Sequence, residues 1–586
     1  MQEEYRMESR RNSYLISKAM RNFLIASILT MAIQQLNIIV DGIIVSNFVN
    51  PDALSAINLY QPISLAITSL CTLFGIGATI RATRAIGERD MPKVEGILST
   101  AIGSVIVVGL VIAVLGALFQ DSLVSLISSN ERLLPYFTNY MQIMVSFSVV
   151  TMLNALYSQI VSVNGYPKLV TFAIILSAVF NLLLDLLFVG VLGMGIAGSA
   201  WATVISVSAG LVYLIYKLRS ILTYRLNPIL KSSVQNLKDN MIQGLPLIIS
   251  NLVLMLMFWM LNTIVQDKQG ADGMFVLAIC NNLLALGMMF SSGVGSAVMS
   301  IGGFLVGQHD MQGLRILVQK SVKLLLGCLM VVVVVIEIFP DVISNVFGAN
   351  SPELLAYSNE SVRIFVLMLP SILLVLMLAN VYQMLGFLML TPIVILTFPL
   401  TLIPNLYFWS GCIGQEYLWW AFPATGLIVL LVTFVITEIF RAKKRNLSVL
   451  TLVSTENVEH SLNISVKANR EGVKEILPEV SSFLSSLELD KKRILSSNLC
   501  IEEIMLNIVD HGGERMSDHY FDLHICSLQE KLHISIKDDG IPYNPISTSI
   551  EQRQIGLNLV HGFCEKIEYK YMYGQNMIFL TWTINN

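Results

Sequence analysis

Long apolar runs alternate with short polar segments through the first three quarters of the chain. A mostly apolar run of about 18 residues or more is long enough to cross a bilayer as an α-helix. The pattern therefore predicts an all-α polytopic membrane body with twelve transmembrane helices. The predicted spans are 20–47, 54–80, 95–119, 133–160, 168–190, 195–217, 241–266, 273–299, 316–339, 357–385, 391–410 and 417–440.

The positive charges on the connecting segments predict the orientation of this body. Arg and Lys cluster before the first span and again after spans two, six, eight and twelve, whereas the intervening loops carry mostly Asp and Glu. Loops rich in Arg and Lys face the cytoplasm. We expect a multi-pass protein of the cell (inner) membrane, with both termini cytoplasmic.

Two short glycine motifs recur at nearly the same distance along the chain. Gly75 and Gly293 each begin a GxG near the end of a span, at an offset of 218 residues. Gly193 and Gly414 each precede a later span, at an offset of 221 residues. Such internal repeats are common in secondary transporters, so the pattern predicts two lobes of six helices.

The composition changes after the last apolar run. Hydrophobic residues make up 54% of the chain and charged residues only 13%, against about 25% charged residues in soluble domains. Residues 446–586 alone hold 12 Lys+Arg and 19 Asp+Glu. These values exclude a soluble enzyme, a disordered protein and a collagen-like fibre. We predict an N-lobe over 1–220, a C-lobe over 221–445, a linker over 446–460 and a soluble domain over 461–586.

The soluble domain shows alternating strands and amphipathic helices. LNISVKA and KLHISIKD alternate apolar and polar residues, as half-buried strands do. The pattern indicates an α/β sandwich. Its predicted strands are 461–468, 519–527, 531–537, 567–572 and 577–584, and its predicted helices are 472–487, 490–511 and 554–565.

Two carboxylates lie inside apolar spans, where a charge is costly and indicates function. They are Asp41 in LNIIVDGIIV and Asp185 in NLLLDLLFVG. Asn37 and Asn181 each precede a carboxylate by four residues and so share its helix face, and Thr203 is predicted at similar depth. These oxygens suit Na⁺ or a shared proton. The alternative is a polar pair that only joins helices.

The segments NIIVDGIIVSNFVNPDALSAINLYQPI, GIGATIRATRAIGERD and NLLLDLLFVGVLGMGIAGSAWATVIS resemble the MATE family of multidrug and toxic-compound extruders. The resemblance covers roughly residues 14–440. It implies export of small organic cations in exchange for Na⁺ or H⁺. It also implies a cation-coupling site made by Asp41, Asn181, Asp185 and Thr203.

Three segments of the soluble domain suit nucleotide chemistry. CIEEIMLNIVDHG places Glu503, Asn507 and His511 four residues apart on one helix face, and an amide beside an acid suits Mg²⁺ with phosphate oxygens. Asp538, in KDDGIPYNP, is placed to accept a hydrogen bond from an adenine amino group. QIGLNLV begins a predicted helix whose first amides suit phosphates.

In this order the three segments resemble the N, G1 and G2 boxes of the GHKL ATPases, specifically the anti-sigma-factor serine kinases. The resemblance implies a Bergerat-type fold that binds ATP and Mg²⁺. Two positions depart from the motifs, with Pro542 and Gln554 in place of glycines. The implied roles are Mg²⁺ ligand for Asn507, general base for Glu503, adenine contacts for Asp538 and Gly540, and phosphate contacts for Gly556 and Leu557, with His511 also assigned to the ATP site.

The sequence favours a Na⁺- or H⁺-coupled antiporter for xenobiotic efflux, with a cytoplasmic ATP-binding domain of regulatory or serine-kinase type. The body is then no enzyme, whereas the tail is a candidate protein kinase or ATPase. The tail contains no GxxxxGK[ST] motif of a primary pump. One alternative is a membrane-anchored serine kinase that phosphorylates an anti-anti-sigma-like protein, with the body as sensor. Another is a non-catalytic receptor. We expect contact with the lipid bilayer and no nucleic-acid partner.

Overall fold

The computed structural model describes residues 12–584 except 50, 128–133, 223, 230, 348, 350, 444–445, 456–460, 488, 512–518, 529–530 and 545–559. Up to residue 443 the described secondary structure is helical. The α-helices are α1 Tyr14–Phe48, α2 Pro51–Gly87, α3 Met91–Leu118, α4 Gln120–Ile127, α5 Leu134–Ser146, α6 Ser148–Val163, α7 Pro167–Asp185, α8 Gly195–Ile221, α9 Val234–Ala297, α10 Gly303–Gly307, α11 Met311–Ile338, α12 Pro340–Val346, α13 Pro352–Val366, α14 Leu369–Leu385, α15 Leu390–Phe408 and α16 Ala421–Lys443.

The described helices confirm the predicted polytopic membrane architecture. Eleven helical segments are long and apolar enough to cross a membrane, and α5 with α6 forms a twelfth if this pair, bent by 53°, counts as one span. The long helix α9 holds two of these segments, since Gly270 adopts a φ of 61° and breaks it. That conformation favours glycine, which has no Cβ to clash.

Three π-helices interrupt the described part of the body. They are Leu186–Val191 after α7, Val298–Gly302 after α9 and Trp409–Ile413 after α15. The first and third follow helices at matching places in the two predicted halves. π-helical turns are rare and are found frequently at functional sites.

Glycines allow two helices of the body to approach closely. A Cβ on Gly77 of α2 would overlap the carbonyl oxygen of Asn240 in α9, and a Cβ on Gly244 of α9 would overlap that of Leu73. Gly293, the second-half counterpart of Gly75, lies against Leu24 of α1. Small residues at such crossings are typical of membrane helices, and they account for the repeated GxG motif.

The chain forms two compact units. One comprises Met1–Asn22, Gln308–Lys320 and Val453–Asn586, and the other comprises Phe23–Gly307 and Ser321–Leu452. The first unit contains an antiparallel sheet of order β1-β2-β3-β5-β4, and this sheet with its helices confirms the predicted α/β domain. Its elements are β1 Ser461–Lys467, α17 Arg470–Ser486, α18 Lys491–His511, β2 Tyr520–Leu528, β3 Lys531–Asp538, β4 Lys566–Met572 and β5 Gln575–Thr583.

One face of this sheet forms the hydrophobic core with α17 and α18. Ile464, Leu523, Ile534 and Ile578 are each at most 1% exposed in this core. Asn469 is the N-cap of α17, and its side chain accepts a hydrogen bond from the Gly472 amide. Of the predicted helix 554–565, residues 560–563 are described and helical, and residues 554–559 lie outside the described part.

The opposite face of the sheet is polar, because successive strand residues point to opposite sides. His524 and Lys537 lie on this face and are 3% and 4% exposed. Both contact Gln308 of the same compact unit, through its backbone oxygen (3.0 Å from His524 Nε2) and its side-chain oxygen (2.8 Å from Lys537 Nζ). The Gln308–Lys320 segment therefore belongs with the sheet.

Candidate functional site

Asp185, at the end of α7, is fully buried. Its exposure is 0%, and neither carboxylate oxygen has a hydrogen-bond partner among the described residues. The carboxylate of Asp41 on α1 lies close enough to interact with it. A buried carboxylate beside a half-buried one favours a shared proton or a bound cation, which offsets their repulsion.

Two asparagines connect these helices beside the carboxylates. Asn37 Nδ2 donates to Asp41 Oδ2 at 3.2 Å. The Asn181 amide satisfies its neighbours when its nitrogen faces Asp41: it then donates to Asp41 Oδ1 (2.6 Å) and to Asn37 Oδ1 (3.2 Å), in place of the 2.9 Å bond from Asn37 Nδ2 to Asn181 Oδ1 that the opposite orientation makes. The structure places Asn37, Asp41, Asn181 and Asp185 close together, and Asn37 shares the helix face of Asp41, as their spacing of four residues indicates. The role of Asp41, Asn181 and Asp185 as a cation-coupling site stays a prediction.

Two features of this site carry no clear sequence signal. Tyr140 on α5 interacts electrostatically with both carboxylates and packs edge-on against Tyr60 at 5.5 Å between ring centroids. The π-helix Leu186–Val191 begins directly after Asp185. A tyrosine in a membrane helix has many ordinary packing roles, so sequence alone does not single it out.

Thr203 on α8 is the fourth residue of the predicted set. Its hydroxyl donates to the Ser199 carbonyl oxygen of its own helix (3.0 Å). The described hydrogen bond of Thr203 is therefore made to the backbone of its own helix and not to either carboxylate. Its predicted role as a cation ligand stays a prediction.

A cavity of about 290 Å³ lies in the same compact unit. Hydroxyl and amide groups from α1, α2 and α6 line it, including Ser27, Gln34, Thr79 and Gln159. Apolar lining comes from Phe23, Met31, Ile76 and Met299, among others. None of its described lining residues is an acid or a base, so these residues offer hydrogen bonds and apolar surface rather than formal charge.

The predicted Mg²⁺ ligand and general base are hydrogen-bonded to each other. Asn507 Nδ2 on α18 donates to Glu503 Oε1 and to the Glu503 backbone oxygen, both at 2.9 Å. Asn507 is only 4% exposed. These bonds occupy the amide nitrogen and leave the amide oxygen as the atom suited to a cation.

Asp538 ends β3 with one carboxylate oxygen paired. Oδ1 accepts from the Gly540 amide (2.9 Å) and from Asn576 Nδ2 (2.8 Å), whereas Oδ2 is buried without a partner among the described residues. Burial raises the pKa of Asp538 to about 6, against the effect of these two donors. An unpaired buried acceptor suits an amino group of a bound base. Asn576 was not singled out from sequence, because it lies 38 residues from Asp538.

The other predicted nucleotide contacts fall in three places. Gly540 lies next to Asp538 and is described above. His511 is the last residue of α18, and its side chain is not described. Gly556 and Leu557 lie outside the described residues.

Comparison with known families gives both parts of the chain a class. A model described as MatE matches residues 26–187 and again 246–407, more than half of the chain. The chain therefore belongs to the MatE family, and it is a multi-pass membrane protein. Residues 466–582 match a Histidine kinase-like ATPase domain.

Two curated relatives have names that refer to multidrug resistance or multidrug export. "Probable multidrug resistance protein YoeA" of Bacillus subtilis (strain 168) is 27% identical over 206 residues, which is 34% of this chain and 44% of the relative. "Multidrug export protein MepA" of Staphylococcus haemolyticus (strain JCSC1435) is 30% identical over 206 residues, or 34% of this chain and 45% of the relative. The chain thus spans less than half the length of these relatives.

Solved structures show the same fold. An outward-facing multidrug resistance MATE family transporter of the MOP superfamily has a TM-score of 0.67 at 20% identity, over 74% of this chain and 99% of that one. A MOP superfamily transporter from Pyrococcus furiosus, described as having a binding pocket of reverse polarity, has a TM-score of 0.66 at 21% identity. The match covers 75% of this chain and 100% of that one. At this identity the likeness shows the fold alone.

The two MatE matches also relate the lobes to each other. They are offset by 220 residues at both ends. Asn405 lies near the end of the second matched range, as Asp185 lies near the end of the first, and its Nδ2 donates to Thr425 Oγ1 at 3.1 Å. This polar side chain of the C-lobe is neutral and hydrogen-bonded, unlike Asp185.

Proposed function

We propose that the chain is a Na⁺- or H⁺-coupled exporter of small organic molecules with a cytoplasmic Mg·ATP-binding domain. The observation that carries the proposal is the buried Asp185 carboxylate, which interacts with Asp41 and with the Ser199 hydroxyl, while neither of its oxygens has hydrogen-bond geometry to a described residue. Membership of the MatE family supplies the transporter fold around it.

Coupling works through the charge of the carboxylate pair. A cation or proton bound between Asp41 and Asp185 offsets their repulsion and the cost of burying them. The asparagines and Thr203 complete a set of oxygen and amide groups around the pair. An ion that binds one conformation more tightly than the other shifts the balance between inward-open and outward-open states. Asn405 of the C-lobe is neutral and hydrogen-bonded to Thr425, which favours a coupling site in the N-lobe.

The cavity of about 290 Å³ is the proposed substrate site. The sequence resemblance implies organic cations, and the hydroxyl and amide oxygens of the lining can accept hydrogen bonds from such molecules. Transport of a cationic dye beside a neutral dye of similar size tests whether charge is required.

The tail holds the nucleotide in this proposal. Asn507 would hold Mg²⁺ through its amide oxygen, and Asp538 with Gly540 would hold adenine. His511, Gly556 and Leu557 are the remaining proposed contacts. Mg²⁺ supplies charge neutralisation of the phosphates when bound. Both termini lie in the cytoplasm, where ATP is available.

Ion-gradient-driven dye efflux from proteoliposomes tests the transport proposal. Asp185→Asn should abolish efflux, because it removes the charge that a coupling ion must offset while nearly preserving side-chain volume. Asp267→Asn is the matched control, since the Asp267 side chain is 71% exposed. Normal efflux by both Asp185→Asn and Asp41→Asn would contradict the coupling site.

A serine-kinase activity of the tail is the second candidate. It is favoured by the hydrogen bond that holds Glu503 beside Asn507, since a general base must lie near the reacting group. Glu503→Gln should retain Mg·ATP binding and lose phosphate transfer to an anti-anti-sigma-like protein. Equal phosphate transfer by Glu503→Gln and the unaltered protein would exclude Glu503 as the base.

A further inference from the structure

The first turns of α1 lie in the same compact unit as the nucleotide-binding sheet. Lys18 Nζ lies 2.5 Å from Asp539 Oδ2, and His519 Nδ1 lies 2.8 Å from Asp539 Oδ1. The Asp539 side chain is 0% exposed, whereas that of Lys18 is 27% exposed. Burial by itself raises the pKa of Asp539, but the contacts with Lys18 and His519 hold it below its ordinary value. Asp539 is therefore a charged, buried anchor next to Asp538.

A single peptide group connects Lys18 to Asp538. Lys18 Nζ lies 3.5 Å from the Asp539 carbonyl oxygen, and the Gly540 N–H of the same peptide donates to Asp538 Oδ1. Because a peptide group is planar, its carbonyl and N–H turn together. The ammonium that attracts the carbonyl thus also orients the N–H that holds the Asp538 carboxylate.

A second connection runs through the start of β5. Gln575 Nε2 donates to the backbone oxygen of Leu15 in α1 (2.7 Å). The next residue, Asn576, donates to Asp538 Oδ1 and to the Ile541 backbone oxygen (2.9 Å). Gln575 and Asn576 are 5% and 2% exposed, so these bonds are shielded from water. The start of α1 is therefore connected, through Lys18 and Leu15, to the segments that carry both groups donating to Asp538, the Gly540 N–H and Asn576 Nδ2.

We infer that Lys18 and the first turn of α1 position Asp538, so that adenine recognition depends on the start of the first membrane helix. This inference rests on the proposed nucleotide site. Lys18 acts as a positioning residue, since it touches Asp539 and not the nucleotide contacts themselves. By linkage, a nucleotide that requires this arrangement stabilises it in return. The helix that begins at Tyr14 continues to Phe48 and carries Asn37 and Asp41.

Nucleotide titration of the purified full-length protein tests the inference. Lys18→Gln should weaken Mg·ATP binding about tenfold, the size of one lost charge-assisted hydrogen bond. It should also reduce the preference for ATP over GTP, because Asp538 then no longer presents a fixed acceptor to the adenine amino group. A merely structural role would lower the melting temperature and leave this preference unchanged.

Matched variants separate the outcomes. Lys93→Gln removes a lysine that pairs with Glu88 on the surface. It should change neither the affinity for Mg·ATP nor the preference for ATP over GTP. The exchange of charges in Lys18→Asp with Asp539→Lys should recover part of the lost affinity. If the unaltered protein binds ATP and Lys18→Gln binds it with the same affinity and the same preference over GTP, this inference is wrong, while the proposed nucleotide site still stands. Unaltered protein that binds no adenine nucleotide would overturn the proposed site as well.

Discussion

Single buried side chains carry most of the chemistry proposed for this protein. Asp185 and Asp538 both keep carboxylate oxygen atoms buried without a partner among the described residues. An unpaired buried acceptor is costly, so such groups require a functional explanation. We propose an ion as that explanation in the body and a base amino group in the tail.

The ionisation of Asp538 predicts how nucleotide preference depends on pH. Burial raises the pKa of Asp538 to about 6, and the carboxylate is the better acceptor for an amino group. The preference for ATP over GTP should therefore fall as the pH drops below about 6. The phosphates of both nucleotides titrate alike, so the ratio of the ATP affinity to the GTP affinity reports only on recognition of the base.

Parallel titrations with Asp538→Asn are the control for this effect. The preference of this variant for ATP over GTP should be weak and should not change across the same pH range. A pH-dependent preference in that variant would assign the titration to another group.

The same pKa predicts a change in tail stability. The ordinary pKa is 3.8 and the folded value is about 6, so the folded state binds more protons between these values. The contribution of Asp538 to the free energy of unfolding therefore falls as pH rises from about 4 to about 6. Asp538→Asn should remove this part of the dependence, as measured by thermal unfolding.

At the scale of elements, helix contacts in the body depend on glycines. Gly77→Ala and Gly244→Ala each force a methyl group into a backbone carbonyl of the facing helix. Overpacking of this kind costs about 1–3 kcal/mol. Both variants should lower the melting temperature of the purified protein in detergent.

Gly327→Ala is the control for these helix contacts. A Cβ at Gly327 meets nothing within 4 Å, and alanine favours helix more than glycine does. Its melting temperature should equal or exceed that of the unaltered protein. Equal melting temperatures for all three variants would contradict the close approach of α2 and α9.

The tail elements follow their sequence patterns closely. Predicted strands 461–468, 519–527 and 531–537 correspond to β1, β2 and β3, whose ends differ by one residue at most. The alternation of apolar and polar residues marks a strand with one face in the core. The prediction for residues 554–559 lies outside the described residues, so it stays a prediction.

At the scale of the whole molecule, the proposed topology places the tail inside the cell. A reporter fused after Arg445 should be active only in the cytoplasm, because the positive charges around the last span favour that side. The measurement compares a fluorescent protein that matures in the cytoplasm with an alkaline phosphatase that requires export. Phosphatase activity at this position would contradict both the orientation and the supply of ATP to the tail.

The sequence by itself determined the features that depend on local pattern. Apolar length against bilayer thickness predicted the spans, and strand alternation predicted the sheet of the tail. A carboxylate within an apolar run pointed to Asp41 and Asp185, since such a charge is too costly to be incidental. Each of these features depends on a short stretch of chain and its solvent.

Tertiary structure decided which distant groups meet. It brought Asn37 of α1 to Asn181 of α7, brought Tyr140 to the carboxylates and turned the Thr203 hydroxyl to its own helix. It also placed Lys18 against Asp539, 521 residues away. Periodicity and composition describe the environment of each residue but not its partner, because the partner depends on how whole helices and strands pack.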